Sequence, residues 1–454
     1  LGGALKKNFT NFLRLTLIAF LLVGFSGCTT KNNTAKTAGG NNANVIYFWS
    51  TEDEPYWEAA ANSFHQANKN YSFKYTKIAF DDHYEEKLLN ALMSGEGPDI
   101  WAMPDDWVYR HKEKLYPLPA TQMKNFSFDN LVPSIKSKAV LGGNLYAVAA
   151  YGQPLYLYYN KDLVINKLSP IVNNKAESQD KRDRLSRLLS EKLPVTWEDA
   201  IFLSNLLTEK NGSQISLSGL TLGTSKINYS QDILYLLMLQ KGAQMTSEDL
   251  KVATFSLPKE TATGRGMPGK DALDFYTSFA NPSSSNYSWN DSLGDNIEAF
   301  CNSKAAMIVG YPQTEKQLTQ KCPTVAIKKT LIPQFSDMEN AVDYANNIAY
   351  GISWISPKKE IAWEFLKQIS GGRGTRMSNI SSKVKDRIPD NGDLDLAAMN
   401  TSTGFIKGRF PTEFDNYIRK AIDDVNTGLL DTQSALNSAA NEISEKLLKD
   451  VGWR

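Results

Sequence analysis

Apolar and polar positions change period along this chain, and the changes predict its elements. Positions 45–49 are an unbroken run of β-formers, which predicts a buried strand, and a polar loop follows at 50–55. Trp57, Ala60, Ala61 and Phe64 then recur at i, i+3, i+4 and i+7, the stripe of an amphipathic helix. Positions 71–80 alternate as a second strand. Tyr84, Leu88, Ala91 and Leu92 share one face of a second helix, with Gly95 as its stop, and 97–102 reads as a third strand. Strand and helix alternating in this order predict an α/β chain with a mainly parallel, doubly wound sheet. Such sheets bind ligands beyond the carboxyl ends of their strands. That rule singles out Trp49 with the loop after it, and the run Pro104, Asp105, Asp106, Trp107.

The stretch 142–163 is the centre of the pattern. Gly142, Gly143 and Asn144 tolerate positive φ and signal a hairpin turn. Leu155, Leu157 and Tyr159 then alternate with Tyr156 and Tyr158, as in a strand. Gly152 and Pro154 interrupt the run at Tyr151, Gly152 and Gln153, either as a bulge or as a passage between two lobes. Further along, 166–193 is charge-rich and predicts a solvated helical insertion. Thr196 suits an N-cap, with Asp199 in the place of a capping-box Glu and Ala200, Leu203 and Leu207 behind it. Positions 229–239, 272–279, 297–301, 359–369 and 431–449 read as helices, and 305–309, 324–332 and 348–355 as strands. Tyr287 and Trp289 sit in the loop 281–291.

Composition narrows the classes. With 454 residues, 42% hydrophobic and 22% charged, the chain holds two or three domains' worth of core. Lys6, Lys7 and Arg14 account for the basic surplus, and the rest carries 47 bases against 49 acids, a balance in which nothing suggests nucleic-acid binding. His65, His83 and His111 lack ligand spacing, so no metal is expected. Positions 1–28 read as an export signal. The basic start precedes an apolar run at 15–25, shorter than the roughly 20 residues of a bilayer span. Ser26, Gly27 and Cys28 resemble a lipobox, whose cysteine is acylated. Positions 29–44 lack large apolar side chains and predict a flexible tether. Cys301 and Cys322 remain as an even pair, either a disulfide or two buried thiols.

The segments WSTEDE, GEGPDIWA, NLYAV, YLYYNKDL, LPVTWEDA, SKAAMIVGYP and GISWISPKKEIAWEFLKQIS, in this order behind a lipobox, resemble the bacterial extracellular solute-binding proteins of the family 1, maltose-binding-protein-like type. The chain departs at the insertion 166–193, at 371–404, and at Ala149 where relatives carry proline. The resemblance implies a two-lobed periplasmic-binding-protein-like fold of type II, with lobe 1 at 45–152, lobe 2 at 153–332, a return at 333–372 and C-terminal helices at 373–454. Three crossings would form the hinge, near Tyr151–Gln153, near Ile332 and Pro333, and near Gly371 and Gly372.

It further implies a monomeric extracytoplasmic lipoprotein anchored at Cys28, without cofactor or catalytic role, that hands a small polar solute, a sugar or oligosaccharide, to an ABC permease. The positions carried over for the ligand are Trp49, Asp53 and Glu54 at the mouth, Asp105 or Asp106 for sugar hydroxyls, Tyr311 under the ring, Tyr151 at the first crossing, the aromatics Tyr229, Trp289, Phe414 and Tyr417, and Asn346 with Asn347. A carboxylate accepts from two vicinal hydroxyls, and an aromatic face covers the C–H side of a sugar. Two other readings stay open. One is a surface lipoprotein that recognises a polymer or protein without transport. The other is an exported glycoside hydrolase, whose two carboxylates the pairs Asp53/Glu54 and Asp105/Asp106 would have to supply.

Overall fold

The computed structural model describes residues 44–123, 131–190, 194–261, 264–370, 382–384 and 393–451. The leader, the lipobox Cys28, most of the tether and the expected crossing at 371–372 lie outside the described residues. The first sheet is built from β1 (Val45–Ser50), α1 (Glu54–Ala67), β2 (Ser72–Lys77), α2 (Tyr84–Met93) and β3 (Ile100–Pro104) in the predicted order. β1 lies between β2 and β3, parallel to both, with Phe48 opposite Tyr75 and Ile100. Strict alternation gives the sheet two apolar faces. Ile46, Phe48, Ile100 and Ala102 pack with Trp57 and Phe64 of α1, while Trp101 and Met103 pack with Tyr84 and Leu88 of α2.

Gly142 and Gly143 both take positive φ (55° and 80°) and turn the chain between Leu141 and Asn144, which pair. α3 (Pro133–Ala139) precedes this turn and β4 (Ala147–Ala149) follows it. The chain then leaves the first sheet and forms β5 (Tyr156–Asn160) in a second one. At the break, Gly152 lies so close to Met399 that a Cβ would meet its Sδ at 2.2 Å, so the position admits only glycine without a shift.

The predicted charged insertion forms helices Lys161–Asn173 and Gln179–Ser190. It is docked rather than merely solvated, because Leu185 and Leu188 are buried and Arg184 pairs with Asp199 at 2.6 Å. Asp199 heads α4 (Trp197–Leu207), and Thr196 caps that helix by accepting from Asp199 N at 3.2 Å. α5 (Ser230–Gln240) is almost wholly buried. β6 (Met307–Gly310) and β7 (Ile327–Leu331) flank β5, and both run antiparallel to it. The expected parallel pattern is thus broken at β5, because that strand enters from the first sheet against the direction of its neighbours. Cys301 and Cys322 are disulfide-bonded across 21 positions, beside β6 and β7.

β8 (Asp343–Tyr344) leads back to β9 (Ile348–Ile352), which inserts antiparallel between β3 and β4 in the first sheet. This mirrors β5. α6 (Lys359–Ile369) then covers the first core with Phe365 and Leu366. β10 (Ser402–Thr403) pairs in parallel with β8. Leu155 N donates to Tyr344 O (3.0 Å), Asn346 N to Gln153 O (3.2 Å) and Ala345 N to Thr403 O (3.3 Å), so segments 153–155, 343–347 and 401–403 lie side by side between the two sheets. Just after the expected crossing at 332–333, Gln334 pairs with the backbone of Val195 and Trp197 in the second half. α7 (Pro411–Asn426) and α8 (Thr432–Val451) pack onto the second core.

Candidate ligand-binding site

The carboxyl end of β3 delivers Asp105 and Asp106 to the junction of the two halves. Asp105 is fixed by donors from three directions. Its Oδ1 receives Lys138 Nζ at 2.9 Å, its Oδ2 receives both the backbone N and Nδ2 of Asn347 at 2.9 Å, and its own N–H donates to Asn347 O. Asp106 stands between two ammonium groups, Lys138 at Oδ1 and Lys407 at Oδ2, each at 2.9 Å. Lys138 projects from α3 and is almost completely buried, with Asn346 Oδ1 at 2.7 Å as a further acceptor. Lys407, equally buried, reaches on to Asp415 of α7 at 2.9 Å, and Tyr235 of α5 donates to the same carboxylate at 2.7 Å. One lysine thus ties a carboxylate of the first half to one of the second.

Asn346 joins the two halves a second time. Its Nδ2 donates to the Tyr311 hydroxyl at 2.9 Å and to Asp232 Oδ2 at 3.2 Å. Tyr311 follows β6, and its ring meets that of Tyr229 edge to face, with centroids 4.9 Å apart. Tyr229 holds a left-handed φ of 64° at the start of α5. Asp232, in the first turn of the same helix, is 4% exposed.

Burial and charge act against each other here. Burial pushes the Asp105 carboxyl up to about 6, with Asp106 adding to the effect and Lys138 opposing it. Burial also acts on Asp106, but Lys138 and Lys407 together outweigh it and hold that carboxyl below the usual range. Asp232 rises to about 6, chiefly through burial, with Lys407 opposing. For both lysines burial favours the neutral amine, yet the surrounding carboxylates win and keep them cationic.

The mouth of the first half is simpler. Ser50, ending β1, accepts from Trp57 Nε1 at 3.0 Å and meets the Tyr350 hydroxyl at 3.2 Å. Tyr151 donates to the Glu52 carboxylate, which brings the first crossing against the loop after β1. Asp53 is exposed and pairs with Lys77, and Glu54 is exposed in the first turn of α1. Trp49 is half-buried against the α2 face of the first core.

The structure therefore gathers Asp105, Asp106, Asn346, Asn347, Tyr311 and Tyr229, and places Tyr151 near the mouth. Trp289 and Phe414 are instead core residues of the second half. The loop carrying Trp289 is pinned to Phe279 O by Ser288 and Trp289 N–H groups, which turns the indole inward. Phe414 faces inward from α7 against Tyr235, Phe255 and Phe405. Tyr417 lies near Phe410 and Lys446, beside α8. Sequence reasoning missed Lys138, Lys407, Asp232 and Asp415. A cleft of about 860 Å³ opens between Tyr109, Tyr146 and Trp354 on one side and Asp249 and Leu250 on the other. None of the expected ligand residues lines it, and its charged groups Glu113 and Lys251 are exposed. Among the described residues no group of three or more His, Cys, Asp or Glu is placed to hold a metal ion, and no helix is long and apolar enough to cross a membrane.

The model of the family described as bacterial extracellular solute-binding protein matches residues 59–377. The chain belongs to that family. No curated protein matches it. Among solved structures, a cyclo/maltodextrin-binding protein complexed with maltotetraose is 17% identical with a TM-score of 0.63, covering 90% of this chain and 98% of that one. The cyclic α-maltosyl-1,6-maltose binding protein from Arthrobacter globiformis is 14% identical, with a TM-score of 0.66 and coverage of 89% and 99%. The sugar-binding protein MalE from the phytopathogen Xanthomonas citri is 15% identical, with a TM-score of 0.63 and coverage of 90% and 98%. At such identities the likeness is one of fold, the two-lobed α/β architecture of periplasmic binding proteins. The family of this ABC-transporter solute-binding protein is non-enzymatic, and the ion pairs of Asp106 and Asp415 with Lys407 join its two halves.

Proposed function

We propose that this solute-binding protein captures a small polar solute of the carbohydrate class outside the cytoplasm and delivers it to an ABC permease, as a monomer held to the membrane through a lipid on Cys28. The observation that carries the reading is the convergence of Asp105, Asp106, Asn346 and Tyr311 at one junction, from both sheets and from a segment between them. Carboxylates and an amide accept from and donate to hydroxyls, and the tyrosine rings offer flat apolar faces, which together suit a sugar. The three side-by-side segments 153–155, 343–347 and 401–403 would serve as the hinge, because the chain passes there between two separately packed cores. Opening there parts Asp106 from Asp415, and a solute touching both halves favours closure.

A thermal-shift screen of the purified protein against mono- and oligosaccharides tests the solute class. At least one sugar should stabilise the protein in a concentration-dependent manner, by about 2.7 kcal/mol at a hundredfold excess over Kd, and Tyr311→Phe should weaken that response. A panel without any stabilising sugar contradicts the reading. Cys28→Ala tests the anchor: the protein should leave the membrane fraction for the medium, and its continued retention would overturn the assignment.

A further inference from the structure

The junction holds four carboxylates, Asp105, Asp106, Asp232 and Asp415, and two cations, Lys138 and Lys407. The shortfall is not spread evenly. Asp105 is saturated by Lys138 and Asn347, Asp106 touches both lysines, and Asp415 receives Lys407 and the Tyr235 hydroxyl. Asp232 makes no ion pair among the described residues. Its Oδ2 has the Asn346 amide at 3.2 Å, the Tyr311 hydroxyl also lies against the carboxylate, and its buried Oδ1 has no donor among the described residues. The Tyr344 hydroxyl, also buried at this junction, is likewise without a partner. A buried carboxylate without a cation is costly, and it either takes a proton or meets a positive charge. Burial raises Asp232 to about 6 although Lys407 and Lys138 act against it from a distance, so near neutral pH it is predominantly ionised without a cation in contact.

The surroundings favour a cation over a neutral donor. Tyr311 and Tyr229 meet edge to face beside Asp232, and aromatic faces attract ammonium groups electrostatically. A hydroxyl could satisfy one orphan oxygen but would leave the charge in place. We infer that the solute carries a cationic amine, which Asp232 receives beside the rings of Tyr311 and Tyr229. This rests on the carbohydrate reading for its scaffold and sharpens it to an amino-bearing solute. A free polyamine shares the same chemistry and is separated from it by experiment.

Isothermal titration near pH 7 and moderate salt, with wild type and Asp232→Asn, compares three trisaccharides and spermidine. The deacetylated glucosamine trimer carries the amines, and its N-acetylated counterpart and maltotriose are the neutral controls. The cationic trimer should bind at least tenfold more tightly than either neutral one, and Asp232→Asn should erase that preference. Equal or tighter binding of a neutral trimer by wild type overturns the inference and leaves the carbohydrate reading intact. Spermidine binding without any trisaccharide, lost in Asp232→Asn, supports the cation and overturns the carbohydrate. Absence of binding to all four overturns both. The wild-type comparison stands even if the variant fails to fold, and a preference that persists in a folded Asp232→Asn also overturns the role of Asp232.

Discussion

Two buried polar clusters sit in this molecule about one strand apart, and they are built to different rules. At the amino end of β3, Asp99 faces Lys358 alone. Lys358 Nζ lies 2.9 Å from Asp99 Oδ2 and 2.6 Å from Val45 O, while Asp99 also accepts from Tyr47 N (2.8 Å) and Ser356 Oγ (2.6 Å). Charge is balanced, every oxygen has a donor, and all partners belong to the first half. At the carboxyl end of the same strand, Asp105 and Asp106 belong to a cluster with surplus negative charge, an orphan oxygen on Asp232 and members from both halves. The first cluster fastens one lobe. The second joins both halves and keeps an oxygen without a donor among the described residues. Burial of charge alone does not mark a functional site, and the imbalance at the junction is what separates the second cluster from the first.

Lys358→Ala breaks the balanced cluster and should have the largest effect. It strands Asp99 without a cation, at a cost of about 3–5 kcal/mol in urea-induced unfolding. A loss below about 1 kcal/mol would mean that the pair is not the fastening it looks like. Lys407→Met should cost less, about 2–3 kcal/mol at pH 7.5, since Asp106 retains Lys138. Its penalty should shrink at pH 5, where a stranded carboxylate can take up a proton, and a penalty that grows on acidification would contradict the charge count. Lys77→Ala, which removes the exposed partner of Asp53, supplies the baseline: a change within about 1 kcal/mol, abolished by high salt.

Much of the first sheet was legible because β1 is an unbroken run of β-formers, the second strand alternates, and the helices carry narrow apolar stripes. Trp57 and Phe64 are buried as their spacing requires, and Thr196 caps α4 as its place before an apolar face implies. Asp105 and Asp106 could be singled out from the rule for strand ends, and Asn346 and Tyr311 from the resemblance. Lys138, Lys407, Asp232 and Asp415 could not. Lys138, Lys407 and Asp415 are charged residues on or beside helices with a polar face, where such residues ordinarily face water, and Asp232 stands in the first turn of a helix, where a carboxylate ordinarily needs no partner beyond the helix end. Only the meeting of segments far apart in sequence buries them. Trp289 and Phe414 are buried in the second core, and an aromatic side chain has the same sequence signature in a core as against a sugar.

The most direct test of the imbalance needs no ligand: the pH dependence of unfolding free energy in wild type and in Asp232→Asn. Asp232 rises from 3.8 to about 6 on folding. The native state therefore binds its proton more tightly, and the corresponding stabilisation is fully present below pH 3.8 and lost as pH rises through 6. Wild type should lose up to about 3 kcal/mol relative to Asp232→Asn between pH 4 and pH 7.5. A difference that stays flat across this range, or that favours wild type as pH rises, would show that Asp232 already has its counter-charge and that the junction is as balanced as the Asp99 cluster.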